Sequence, residues 1–134
     1  MNSEVLFDDI RKIVTRRPIP PGQITLYKVL YEESGKWLSN NKLSEKMRWN
    51  DKESLRGVLG ALGNRVNRTN GLSTDMQGIE VLLETDEEND SSSYRMRSEL
   101  REVIDREPKL REAIILSVPE IHERFKNKKD WLKI

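Results

Sequence analysis

Few residues of this chain have the types and spacing that chemistry needs: a single histidine, His122; glycines at three-residue spacing, Gly57, Gly60 and Gly63; and alternating acids, Asp86, Glu88 and Asp90. With one imidazole and no cysteine, an ordinary zinc site cannot be completed, and His122 between Ile121 and Glu123 is expected at the surface of a capped helix. The acids fail as a calcium loop, because the sixth position is Ser91 instead of glycine and the twelfth is Arg97 instead of a bidentate acid. The glycines lie within an apolar helical pattern and no lysine and hydroxyl pair follows them, so they do not form a phosphate-binding loop. An activated serine or threonine would have only His122 as its base, and no pair of carboxylates stands out. No catalytic residue, cofactor or metal is expected, and the chain is not expected to be an enzyme.

The glycines still need a reason. In "SLRGVLGALGNRVNRTNG", Ser54 to Gly71, the apolar residues Leu55, Val58, Leu59, Leu62 and Val66 fall on one helical stripe. Each glycine inside a helix costs roughly 1 kcal/mol relative to alanine. The opposite face carries Glu53, Gly57, Gly60, Ala61, Asn64 and Arg68 and is nearly bare. A bare face lets another surface come close, and that surface is a DNA groove, a second helix or a partner protein. The alternative is that the glycines pack tightly within the monomer or a dimer and that Gly63 marks an early C-terminus.

Length and composition frame the elements that position this helix. At 134 residues, with 35% hydrophobic and 35% charged residues, the chain is one domain or a domain with an appendage. The absence of cysteine favours an intracellular setting. No segment is long and apolar enough for a membrane span or a signal peptide, so a cytoplasmic protein without a membrane partner is expected. Net charge is only +1, but it is unevenly placed. Lys28 to Arg68 holds nine basic residues against five acids, whereas Thr69 to Ser92 holds seven acids and no base.

Along the chain, "SEVLFDDIRKIVTRR" has amphipathic helical spacing with Ser3 as cap, and "PIPPG" breaks it. "QITLYKVLYEESG" gives a second helix, "KWLS" a short extended piece, and "NNKLSEKM" a third helix capped by Ser39 or Asn40. After the turn "RWND", Asn50 and Glu53 have capping-box spacing and open the glycine-bearing helix. "IEVLLET" and "SYRMR" read as two strands joined by a polar acidic loop. Helices follow from Ser98, from Pro108 and from the Ser117 to Glu120 capping box.

This order, carried by "GKWLSNNKLSEKM", "WNDKESLRGVLGALGNRV" and "IEVLLETDEENDSSSYRMR", resembles the winged helix-turn-helix superfamily over Gln23 to Arg97. The expected fold is therefore α+β, mainly α: an N-terminal helix over 1–17, a winged helix-turn-helix domain with a two-stranded wing over 22–105, and a C-terminal helical extension over 106–134. The resemblance implies a DNA-binding regulator or DNA-targeting accessory module whose helix 51–68 enters the major groove of double-stranded DNA. On that basis Gly57, Gly60 and Ala61 allow close approach. Lys52, Arg56, Arg65 and Arg68 reach phosphates, Asn64 and Asn67 suit base edges, and Arg95 and Arg97 reach out from the wing.

The wing tip opposes a simple version of this, since Glu84, Asp86, Glu87, Glu88 and Asp90 would face phosphates with like charge. Either the tip turns away, or it binds a protein partner, or it masks the basic helix, or it is a solvated loop. An interaction module using the bare helix face and the acidic wing is the competing function. Trp37 is expected in the core, Trp49 beneath the recognition helix, and Trp131 docking the tail. Leu110, Ile114, Ile115, Ile121 and Phe125 either cover the core or pair two chains as a homodimer.

Overall fold

Pro18, Pro20 and Pro21 set the first corner. The computed structural model describes residues 3–48, 54–88 and 91–134. Helix α1 (Ser3–Thr15) ends before the proline run and α2 (Pro21–Glu32) begins inside it. Proline lacks a backbone donor and has φ preset near the helical value, so it fits a first turn; the expected start at Gln23 moves back accordingly. Ser3, expected as a cap, is already helical and donates its hydroxyl to Glu99 at 2.9 Å.

Helix α2 is the centre of the molecule. Ile24, Leu26, Tyr27, Val29 and Leu30 are all buried, which suits a helix enclosed on every side. Around it pack α3 (Asn40–Met47), α4 (Leu55–Asn67), β3 (Ser91–Met96), α6 (Pro108–Ile115) and α7 (Val118–Arg124). Ser39 caps α3 as expected, accepting from Lys42 N at 3.2 Å. Ser54 caps α4, accepting from Gly57 N at 3.0 Å. The expected helix start at Asp51 is thus corrected to Leu55, because Ser54 is extended backbone and supplies the cap. Trp49, Asn50, Asp51, Lys52 and Glu53, with the expected capping box, lie outside the described residues.

Three strands form an antiparallel sheet in the order β1-β3-β2, with β1 at Leu38–Ser39 and β2 at Leu83–Glu88. Tyr94 and Met96 face inward, as their alternation predicts, and pair with Leu38 and Leu83 respectively. Two strand boundaries shift. Ile79 to Val81, expected in a strand, belong to a 3-10 turn (Gly78–Val81) packed on α4. Asp86, Glu87 and Glu88, expected in a loop, continue β2 opposite Ser93, Ser92 and Ser91. Uncharged serine partners let a row of acids stay in a strand without like charge directly opposite. Asp90 lies outside the described residues.

Helix α5 (Ser98–Arg106) lies against α1. Arg97, not the expected Ser98, is its N-cap, and no side chain caps it. The Ser117 and Glu120 capping box at the start of α7 is present. Leu110, Ile114, Ile121 and Phe125 are buried in one cluster with Leu6, Leu62 and Leu132. The apolar surface considered for pairing two chains therefore covers the chain's own core, apart from Ile115, which is 74% exposed. His122, expected at the surface, is buried where α7 docks on α2, with Nε2 3.3 Å from Thr25 Oγ1. No helix among the described residues is long and apolar enough to cross a membrane.

Candidate nucleic-acid interface

Helix α4 buries Leu55, Val58, Leu62 and Val66 and exposes Arg56, Gly57, Gly60, Ala61, Asn64 and Arg68. Its three glycines do different things. A Cβ on Gly60 would meet nothing within 4 Å among the described residues, so none of them requires glycine there. At Gly57 a Cβ would stand 3.1 Å from Ser54 Oγ, crowding the cap of the same helix. Gly63 sits within the helix, not at its end, and faces Gly78 and Ile79 of the 3-10 turn. The bare side is thus open at Gly60 and Gly57, while Gly63 lies off it, against the 3-10 turn.

Four of the expected contact residues are engaged elsewhere. Arg65 is buried and closes the C-terminal end of α1, donating Nε to Ile13 O at 3.0 Å, Nη2 to Val14 O at 3.2 Å and Nη1 to Pro18 O at 3.2 Å. Nη2 also donates to Arg17 O. The last carbonyls of a helix lack partners within it, and a guanidinium with five donors satisfies several at once. Arg65 is therefore corrected from a phosphate contact to a structural cap. Its burial, followed by repulsion from Arg16 and Arg17, lowers its pKa from the ordinary value while Tyr27 opposes the shift.

On β3, Arg95 pairs bidentately with Glu84, at 3.2 and 2.9 Å, and lies over the Trp37 ring at 4.4 Å. This pairing holds the Glu84 carboxyl below its usual range. Trp37 is 41% exposed, correcting its expected place in the core: it shields an ion pair on the outer face of the sheet. Arg97 donates Nε to Glu80 O at 2.7 Å and Nη2 to Met76 Sδ at 3.5 Å. Neither arginine presents its full donor set outward. Asn67 accepts from Gly78 N at 2.8 Å through Oδ1, fixing the turn that Gly63 touches. Lys52 lies outside the described residues. What remains together on the open side is Arg56, Gly57, Gly60, Asn64 and Arg68.

Beside that side runs a channel of about 420 Å³. Asn64 and Arg68 line it from α4, Arg16 and Arg17 from the end of α1, and Lys128 and Trp131 from the C-terminal tail. It continues past Pro20, Gln23 and Ala61 toward Gly57 and Ser54. The tail is held by a backbone bridge, Ile19 N to Leu132 O at 2.8 Å and Leu132 N to Ile19 O at 3.1 Å. Leu132 provides the buried anchor, which leaves Trp131 only partly covered and facing the channel. Among the described residues no carboxylate lines the channel, and Arg16, Arg17, Arg56, Arg68 and Lys128 have no ion-pair partner.

Arg16, Arg17, Gln23, Lys128 and Trp131 were not among the residues expected from sequence. The doublet "RR" before the prolines was the available signal, but only the fold brings it beside α4. Comparison with family models, with curated proteins and with solved structures finds no match to this chain.

Proposed function

We propose that the chain is a winged-helix DNA-binding protein, a transcriptional regulator or DNA-targeting accessory module, that places the open side of α4 in the major groove of duplex DNA. The order α2, β1, α3, α4, β2, β3 and the sheet order β1-β3-β2 support the winged-helix reading. The observation that carries the functional part is Gly60, whose missing side chain leaves open space between the exposed Arg56 and Asn64. An exposed glycine in mid-helix is costly, and close approach of a duplex gives it a use. Arg56 and Arg68 then contact phosphates and Asn64 a base edge.

Fluorescence anisotropy with a random duplex tests this. Binding should be salt-sensitive, and Arg56→Ala should weaken it and flatten its salt dependence by about one counterion. Binding that ignores salt and the substitution alike would sink the proposal. A protein partner at the wing is the second reading, favoured by one observation: Asp86, Glu87 and Glu88 are exposed along the sheet's edge strand without an ion-pair partner among the described residues.

A further inference from the structure

Gln23 is 5% exposed, its Oε1 has no hydrogen-bond partner, and it lines the channel beside α4. A buried amide oxygen without a partner costs about 1–3 kcal/mol, and a donor admitted at the Gln23 wall of the channel would recover that cost. Around it stand the indole of Trp131 and four cations without an ion-pair partner among the described residues, Arg16, Arg17, Arg68 and Lys128. We propose that the channel is a nucleotide-binding site, in which Trp131 stacks a base, Gln23 hydrogen-bonds its edge, and the cations hold its phosphate.

Each part of the ligand has a counterpart in the wall. A base offers the planar face that an indole stacks on and N–H donors that an amide oxygen accepts. A phosphate requires cations, and a channel whose described lining carries these four cations and no carboxylate is complementary to it. The volume falls in the range of roughly 300–1,000 Å³ typical of small-ligand sites. Arg65 acts as a positioning residue: by closing the end of α1 it fixes the Arg16 and Arg17 backbone at the channel. The channel shares Ala61, Asn64 and Arg68 with the open side of α4, but Trp131, Gln23, Arg16, Arg17 and Lys128 belong to it alone, so the proposal does not rest on duplex binding.

Calorimetric titration of the full chain with ADP, with pyrophosphate and with a six-nucleotide single strand tests it and separates a free nucleotide from a unit of a strand. At least one of ADP and the strand should bind about ten-fold tighter than pyrophosphate, as stacking of one base provides. Trp131→Ala and Gln23→Met should each weaken that binding about ten-fold. Gln23→Met should do so with an unchanged or raised melting temperature, because it removes a polar atom without a partner. Arg17→Ala and Lys128→Ala should weaken nucleotide and pyrophosphate together, and Arg56→Ala should leave both unchanged. No binding of ADP or the strand at millimolar concentration, equal binding of pyrophosphate, or wild-type affinity in Gln23→Met would overturn the site. Loss of duplex binding alone would leave it standing.

Discussion

Arg65 of α4 donates from Nε to the carbonyl oxygen of Ile13 in α1 at 3.0 Å, tying two helices whose residues stand 52 positions apart. Three further carbonyls, of Val14, Arg17 and Pro18, accept from the same guanidinium. A cation of α4 thereby becomes the end cap of another helix.

Arg65→Lys should therefore destabilise the protein by about 3 kcal/mol in urea unfolding, because an ammonium cannot reproduce the planar fork and leaves buried carbonyls without donors. The charge survives the substitution. Duplex affinity of the folded variant should stay within about two-fold of wild type; a large drop at full stability would return Arg65 to the interface.

Gly60→Gln separates folding from binding. The added side chain meets open space, and replacing an exposed helical glycine should raise stability by about 0.5–1 kcal/mol. If a duplex presses against this backbone, the same change should weaken its binding about ten-fold by steric exclusion. A stabilised variant with unchanged duplex affinity would show that nothing approaches here.

Tyr27 is fully buried with no partner for Oη, and burial pushes its pKa up to about 12, with Arg65 partly opposing. In the unfolded chain the phenol ionises near about pH 10. The neutral phenol's contribution is therefore complete below about pH 10 and is lost as pH rises through about 12, roughly 3 kcal/mol in all. Tyr27→Phe should unfold less readily across that window than wild type and be neutral to slightly stabilising near pH 7. Parallel alkaline unfolding curves would contradict this.

Asp9, 1% exposed, accepts from Ser73 N at 2.9 and 3.1 Å and from Thr74 N at 2.9 Å, pinning the segment that leads out of α4. Asp9→Ala should cost about 2–4 kcal/mol by leaving two amides without their acceptor. Amide exchange at Ser73 and Thr74 should accelerate more than at Leu62. Uniform acceleration would mean that the loss is global and that the segment is held by other contacts.

Apolar spacing and caps made much of the fold legible. The stripe of Leu55, Val58, Leu62 and Val66, the Ser117 and Glu120 box and the alternation of Tyr94 with Arg95 each depend on neighbours a few residues away. Boundaries failed where a local rule had a competitor: Ser54 supplied the cap of α4, and serines opposite Asp86 to Glu88 extended a strand through acids. Part of the candidate site was also legible, since Arg56, Gly60, Asn64 and Arg68 share one exposed side.

Sequence alone determined which residues are charged, which helix is bare on one side, and that basic and acidic segments adjoin. Tertiary structure decided which cations are available. Arg65 and Arg68 are three positions apart on one helix, yet the first is buried against α1 while the second lines an open channel with Arg16, Arg17 and Lys128. The reason is physical: a guanidinium's availability depends on which acceptors come within hydrogen-bond reach, and here those acceptors belong to a helix end that only folding brings near.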